Sequence, residues 1–335
     1  MLLKNEIRFL FTKRYFMILI LGIVGIISVF FFKYNLDFMH YGQNQIEYYS
    51  EVIQTETQRM SILPDEEMNS FFQEDSISCQ KLLSDWKNGA DDKTIAFDLY
   101  KRDLVMLDYI KSGMDLEKFP TILQNSKADL LLRIKMEKIC LDKETYDFVY
   151  PNKPTGYYLL IQIMGGNNLF FYLLLIVVLS INIDIWSKDL ENGMIQSLFT
   201  IGKIRRSIYI TRTTIRILWS IAVSLLFLVV LFSIGLFTYG NGTGLYVGTI
   251  SANQYFFNHC LSLITLIIFS VSFCQSLSFF VKNTGICLLL TGLILLFMYT
   301  YIDISILLNS TFVFVIGSVF FHLATLISLE RADLG

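Results

Sequence analysis

The sequence predicts an all-α membrane protein with six transmembrane helices and a large, mostly helical extracytoplasmic insert between helices 1 and 2. Two observations predict this class. Of the 335 residues, 54% are hydrophobic and 17% are charged, whereas soluble domains average about 25% charged residues. Apolar runs long enough to span a bilayer recur along the chain, and one long polar stretch separates the first run from the others.

The first predicted element, residues 1–33, is a basic N-terminal segment followed by transmembrane helix 1. Four basic residues precede or begin the apolar run Tyr15–Phe32, namely Lys4, Arg8, Lys13 and Arg14. A signal peptide has the same order of segments, but this run extends over about 18 residues and no small-residue cleavage site follows it. We therefore expect a retained helix whose N-terminus is cytoplasmic.

The sequence of residues 34–156 predicts one extracytoplasmic domain of about four helices. Pro64 followed by three acidic residues is typical of a helix start, and Asn88-Gly89 of a helix end. Apolar residues recur at helical spacing in Ile95–Ile110 and in Ser126–Leu141. Pro151-Asn152-Lys153-Pro154 predicts the linker that closes the domain.

Charge is distributed unevenly along the chain. From Tyr34 to Gly165 there are 14 Lys and Arg against 22 Asp and Glu, whereas the remainder is basic. No basic surface of the extent that nucleic acid requires is present, so we expect no nucleic-acid partner. Cys79 and Cys140 both lie in the insert, and their pairing is left open. No Cys/His spacing typical of metal sites occurs, and we expect no metal or cofactor in this chain.

Residues 157–335 predict the other five transmembrane helices. Tyr157–Met164 is typical of an interfacial approach, which Gly165–Asn168 interrupts. The predicted spans are Leu169–Ile185, Ile217–Tyr239, His259–Val281, Thr284–Ile302 and a sixth within Ile306–Leu329. Basic residues near the helix ends cluster on one side of this arrangement, so the positive-inside rule places both termini in the cytoplasm. The residue usage, rich in Ile, Lys, Asn and Phe, favours a bacterial source, and we therefore expect a multi-pass bacterial cell-membrane protein.

Few polar residues lie within the predicted spans. Asn182 and Asp184 fall at the inner end of helix 2, Gln275 in helix 4 and His322 in helix 6. Ionisable residues inside a membrane are functional candidates. We favour an ion pair between Asp184 and Lys188, and interhelical hydrogen bonds for Gln275 and His322 rather than a proton relay.

One short stretch, Asp184–Arg216, lies between predicted helices 2 and 3 on the cytoplasmic side. It carries six basic and three acidic residues, and its apolar residues recur at helical spacing. This pattern predicts an amphipathic helix at about 186–206, followed by a basic turn. Gly202-Lys203 does not match a Walker motif, because the spacing is wrong and Ile204 replaces the expected Ser or Thr.

The order of this stretch resembles that of the type-2 ABC exporter permeases. An inner-end helix is followed by Asp189–Thr200, then by the basic turn Lys203-Ile204-Arg205-Arg206 and a rising third span. The Glu191/Gly193 spacing, the apolar helix and Arg206 match the family. The sequence departs from it at Ile201-Gly202-Lys203, where a proline is usual.

The resemblance implies a permease that pairs with a second permease subunit, identical or related, within membrane lipid. Each copy docks on a separate cytosolic ABC ATPase, which binds the ATP and Mg²⁺, so this chain is expected not to be an enzyme. The loop between helices 2 and 3 then acts as a coupling helix. The residues implied to contact the ATPase are Asp189, Leu190, Glu191, Gly193, Met194, Leu198, Lys203, Arg205 and Arg206.

The exported molecule is expected to be amphipathic: an antimicrobial or signalling peptide, a drug or a lipid-like molecule. The apolar spans and the acidic outer domain favour such a substrate. The alternative is a membrane sensor, in which the insert binds a ligand and the 184–216 loop binds a cytosolic protein. A membrane enzyme or ion-coupled carrier is less well supported, since buried carboxylates and broken helical repeats are missing from the sequence pattern.

Overall fold

The computed structural model describes residues 13–62, 66–111, 127–165, 169–180, 182–183, 186, 205–247, 250–281, 283–301 and 310–331. Within these ranges the chain forms ten α-helices, one short 3₁₀-helix and a two-stranded antiparallel hairpin. The prediction of an all-α membrane protein is confirmed.

The first four helices are α1 (Lys13–Met60), α2 (Glu66–Asn88), α3 (Asp92–Lys111) and α4 (Lys127–Asp142), followed by the 3₁₀-helix Asp147–Val149. The later elements are α5 (Gly156–Gly165), α6 (Leu169–Ser180), α7 (Arg205–Tyr239), β1 (Tyr246–Val247), β2 (Ile250–Ser251), α8 (Ala252–Val281), α9 (Thr284–Tyr301) and α10 (Thr311–Arg331). Helix α2 ends one residue before Gly89, whose φ of +64° stops the helix in the left-handed conformation that glycine tolerates best.

Four helices among the described residues are long and apolar enough to cross a membrane. They are Ile20–Met60, Arg206–Tyr239, Ala252–Val281 and Thr311–Leu329. Helices α5 and α6, bent by 77° relative to each other, pass the same test as a pair and raise the number to five. Thr284–Phe297 is a shorter apolar helix. The predicted number of six spans therefore stays a prediction.

Helix α1 continues well past the end of its predicted span. The apolar run ends at Phe32, but the helix extends to Met60 without a break. At 1.5 Å per residue its 48 residues measure about 72 Å, against about 30 Å for the hydrocarbon core of a bilayer. Neither Pro nor the turn signal of Asn-Gly occurs after Phe32 until Pro64, so nothing in the sequence interrupts the helix.

The chain divides into two compact units. Unit 1 comprises residues 1–31, 159–238 and 254–335, and unit 2 comprises residues 32–158 and 239–253. Unit 2 thus includes the loop between α7 and α8, which the sequence did not assign to it. The loop accepts two hydrogen bonds from the start of α5: Gly156 N–H donates to the carbonyl of Gly240 at 3.0 Å, and Tyr157 N–H to that of Asn241 at 2.9 Å.

Two apolar clusters form the core of unit 2. The first joins α2, α3 and α4 and contains Phe71, Phe72, Met106, Leu107, Ile110, Leu130 and Ile134. The second joins α1, α2, α3 and the 3₁₀-helix and contains Tyr49, Val52, Cys79, Leu82, Ile95, Ala96 and Val149. Cys79 and Cys140 are both buried free thiols, so the disulfide that the sequence left open is not formed.

One buried and one partly buried ion pair connect the helices of unit 2. The Arg102 guanidinium on α3 donates to both carboxylate oxygens of Asp75 on α2, at 2.7 and 3.0 Å. The next residue, Asp103, accepts two hydrogen bonds from Arg133 on α4. A buried pair stabilises a fold only if its polar groups are satisfied, and the bidentate geometry provides this. Helix α3 is thereby fastened to a neighbour on either side.

Candidate coupling site

Most of the predicted coupling residues fall outside the described part of the chain. These are Asp189, Leu190, Glu191, Gly193, Met194, Leu198 and Lys203; the predicted ion pair of Asp184 with Lys188 also lies there. Arg205 begins α7, and the side chain of Arg206 is exposed in its first turn. The described structure therefore shows the two ends of the stretch: Trp186 on one side and the start of α7 on the other.

The two ends meet in a buried cluster of unit 1, here called the loop-base cluster. Its members come from the stretch itself and from α7, α8 and α10: Trp186, Ile208, Tyr209, Phe279 and Leu329, with Leu326 packed against them. The side chain of Trp186 is 0% exposed. A fully buried aromatic residue of this size is a main source of packing energy, so the cluster holds the base of the loop firmly.

Trp186 contacts two helices, α7 and α8. Its ring stacks on that of Tyr209 from α7, with centroids 5.9 Å apart and planes inclined by 18°. It also meets Phe279 from α8 edge to face, with centroids 6.4 Å apart. Its backbone N–H donates to Ser278 Oγ at 3.0 Å. The residue that follows the predicted span Leu169–Ile185 is thus bound to both α7 and α8.

Two arginines that the sequence assigned to the basic loop lie within α7 and are buried. Arg212 is 8% and Arg216 is 3% exposed. The guanidinium carbon of Arg212 lies 5.2 Å from the Trp186 ring centroid, and such a cation–π contact contributes up to about 2 kcal/mol when desolvated. The predicted start of the third span at Ile217 misses these residues, because α7 begins at Arg205.

A chain of hydrogen bonds runs from the loop-base cluster into the helices. The Tyr209 hydroxyl bonds to His322 Nδ1 of α10 at 2.8 Å. His322 Nε2 bonds to Ser272 Oγ of α8 at 2.9 Å. The imidazole therefore bridges α7, α10 and α8, which confirms the predicted interhelical hydrogen bond of His322. It also means that Tyr209 is both a stacking partner of Trp186 and the first member of this chain.

Further polar pairs link the same helices. Gln275 Oε1 on α8 accepts from Thr213 Oγ1 on α7 at 2.8 Å, which confirms its predicted interhelical bond. Ser276 on α8 bonds to Thr325 on α10 at 2.7 Å. Hydrogen bonds between membrane helices contribute about 0.6–2 kcal/mol each. Together with the aromatic contacts they join α7, α8 and α10 near the loop base.

An apolar cavity of about 260 Å³ lies elsewhere in unit 1, between α6, α8, α9 and α10. Its walls include Leu175, Phe269, Phe273, Leu295 and Phe321. Ser270 and Thr291 are the polar residues of its lining. A cavity of this composition accepts an alkyl or aromatic group and carries no ionisable side chain.

No family profile, curated protein or solved structure matches the chain. The loop-base cluster was missed in the sequence because its members come from four separate segments. The available signal was Trp186, an aromatic residue directly after an apolar run, which is the usual place for an interfacial anchor. Only packing distinguishes a buried tryptophan from one facing headgroups.

Proposed function

We propose that this chain is the membrane-spanning permease subunit of an ATP-driven exporter of the type-2 ABC class. The stretch between Trp186 and Arg205 is its contact with a separate cytosolic ATPase. The membrane topology is six spans with both termini in the cytoplasm. The substrate is amphipathic, and its apolar part suits the cavity between α6, α8, α9 and α10.

The observation that carries the proposal is the anchoring of the loop at both ends. A lever transmits a displacement only if its base is rigid. Trp186 is fixed by α7 and α8, and α7 is fixed in turn to α10 through Tyr209 and His322. A push on the loop thus reaches three helices at once, as ATP-driven transport requires.

The test is co-expression of the chain with the ATPases encoded beside its gene, followed by purification through a tag on this chain. We expect a Walker-motif ATPase to co-purify and its ATP hydrolysis to respond to this subunit. The double variant Glu191→Lys, Leu198→Asp inverts a charge and places a carboxylate on the apolar face of the predicted coupling helix. It should reduce co-purification or ATPase stimulation at least about tenfold, which corresponds to about 1.4 kcal/mol.

A matched control carries the same chemical changes in the insert, at Glu47→Lys and Ile62→Asp, where both side chains are exposed. It should leave association and ATPase stimulation intact. Normal transport by the Glu191/Leu198 variant would contradict the coupling-helix assignment. Association with a cytosolic protein that does not hydrolyse ATP would instead support the sensor alternative.

A further inference from the structure

A second site, unrelated to the transport proposal, lies inside unit 2. Glu56 from α1 and Asp75 and Cys79 from α2 bring one ligand atom each within 4.8 Å of one another. All three residues are 0% exposed. Asp75 and Cys79 are four residues apart, so they share one face of α2, and Glu56 faces them from α1.

The carboxylate of Glu56 has no hydrogen-bond partner for either oxygen among the described residues. A buried carboxylate without a partner costs several kcal/mol, so natural proteins pair it, neutralise it or coordinate it to a metal. The Asp75 carboxyl and the Cys79 thiol lie beside it, and Arg102 and Arg59 are the positive charges that act on it. Either a proton held between the two carboxyls or a bound cation therefore lies between these groups.

Arg102 supplies positive charge to this cluster mainly through Asp75. Its guanidinium donates to Asp75 through Nε and one terminal nitrogen. A carboxylate has about four acceptor positions, so two N–H bonds leave Asp75 able to accept a further ligand bond. Ionised Glu56, Asp75 and Cys79 carry three negative charges, which Arg102 and one divalent cation balance to zero.

We infer that Glu56, Asp75 and Cys79 form a Zn²⁺ site that ties α1 to α2. A thiolate with two carboxylates suits Zn²⁺, whereas Mg²⁺ and Ca²⁺ prefer oxygen ligands alone. Arg102 then acts from the outer shell, because it orients Asp75 while compensating the ligand charge. The i, i+4 spacing connects Asp75 with Cys79, whereas no spacing rule connects either of them with Glu56 on α1.

The same unit contains a matched arrangement without sulfur. Asp103 is held by Arg133, and Glu137 lies in the same buried group. Like the first site, this group contains an Asp, a Glu and an Arg, but it contains no thiol. It therefore separates a requirement for sulfur from a general effect of buried carboxyls.

The experiment uses the full-length protein purified in detergent and stripped of metal with a chelator. Zn²⁺ affinity and stoichiometry are measured by competition with a chromogenic chelator, and Cd²⁺ is added separately to record its ultraviolet charge-transfer band with thiolate. We expect one Zn²⁺ per chain, a Cd²⁺–thiolate band, and a higher unfolding temperature with Zn²⁺. Cys79→Ser and Glu56→Gln should abolish the band or weaken binding at least tenfold.

The control variants are Cys140→Ser, at another buried thiol of unit 2, and Glu137→Gln, in the sulfur-free trio; both should retain the band and the affinity. The folding of each variant is first compared with that of the wild type by size-exclusion elution and by the unfolding temperature without metal. If Cys79→Ser does not fold, Cys79→Ala is used instead. Stoichiometric binding that survives both ligand substitutions would overturn the site. Absence of the Cd²⁺–thiolate band in the wild-type protein would also overturn the site. Protonation of a carboxyl would then be enough to keep Glu56 and Asp75 together without a metal.

Discussion

At the scale of single residues, the buried carboxyl of Glu137 gives unit 2 a defined pH response. Burial, reinforced by the neighbouring Asp103 carboxylate, raises the pKa of Glu137 to about 8 from an ordinary value of 4.5. The unfolded chain therefore loses this proton at about pH 4.5, whereas the folded chain keeps it until about pH 8. Between these values the folded state binds more protons than the unfolded state, so stability falls as pH rises.

Replacing Glu137 with Gln should flatten that response. Gln keeps the shape of the protonated side chain and does not ionise, so the variant should be more stable than the wild type at pH 8. The slope of the free energy of unfolding against pH should decrease by up to about 1.4 kcal/mol per pH unit between pH 5 and 8. Thermal unfolding in detergent at several pH values measures this, with the exposed Glu51→Gln as control. An unchanged slope in Glu137→Gln would contradict the assignment.

Tyr209 is the residue where the stacking contacts and the hydrogen-bond chain of the loop base meet. Tyr209→Phe keeps the ring against Trp186 and deletes only the hydroxyl bonded to His322. We expect a loss of about 0.6–2 kcal/mol in stability, and weaker ATPase stimulation if the coupling proposal holds. The control is Tyr246→Phe, whose hydroxyl accepts from exposed Lys143 at 3.1 Å. Equal effects of the two substitutions on unfolding temperature would rule out a special role for the buried hydroxyl.

At the scale of elements, α8 and α10 approach closely at a glycine. A Cβ added to Gly317 would meet Phe269 Cε2 at 2.6 Å, whereas one added to Gly292 of α9 meets open space. Both positions are helical, so alanine favours the helix equally by about 1 kcal/mol in each case. Gly317→Ala should therefore lower the unfolding temperature and Gly292→Ala should raise or preserve it. The reverse order would show that α8 and α10 do not pack as described.

The loop before β1 offers a second matched pair. Gly240 and Gly242 both have positive φ, at +92° and +76°. An added Cβ has open space at Gly240 but meets the side chain of Thr155 at Gly242, with 2.8 Å to its Cβ. Backbone strain destabilises alanine at either position by about 1 kcal/mol, and only Gly242→Ala adds a steric clash. A larger fall in the unfolding temperature for Gly242→Ala than for Gly240→Ala is the expected result; equal falls would contradict the docking of this loop.

Helix ends were predictable where the sequence contains a stop signal and not elsewhere. Asn88-Gly89 marks the end of α2 because a left-handed residue terminates a helix. Lys33 and Asp37 mark the end of an apolar run, but Lys is a good helix former and one Asp costs too little to end a helix. Hydropathy therefore located the span and not the end of α1. The two-residue strands β1 and β2 are too short to produce an alternating pattern.

At the scale of the whole molecule, the class of fold follows from composition and apolar runs, while the loop base does not. Gln275 and His322 were recognised because polar residues within spans need partners. Their partners Thr213, Tyr209 and Ser272 could not be identified, since hydroxyl residues are common on membrane helices and only the packing selects among them. The burial of Arg212 depends likewise on the position of Trp186.

The proposed topology makes a prediction for the intact cell. In a background without the five native cysteines, Ser84→Cys, at an exposed position of α2, should react with a membrane-impermeant maleimide in intact cells. Ser197→Cys, within the predicted coupling helix, should react only after permeabilisation. Both should react fully in detergent, which controls for reactivity. Labelling of Ser197→Cys in intact cells would place the stretch outside and would contradict a cytosolic ATPase contact.

The burial of Trp186 also has an optical consequence. The chain contains three tryptophans, of which Trp86 on α2 and Trp219 on α7 are not members of the loop-base cluster. Substituting these two with Phe would leave one indole, held between a phenol ring and a guanidinium. Its emission wavelength and quenching depend on those two neighbours. Any ligand or partner that shifts the loop should therefore change the fluorescence of an unlabelled protein, in real time and without a substrate assay.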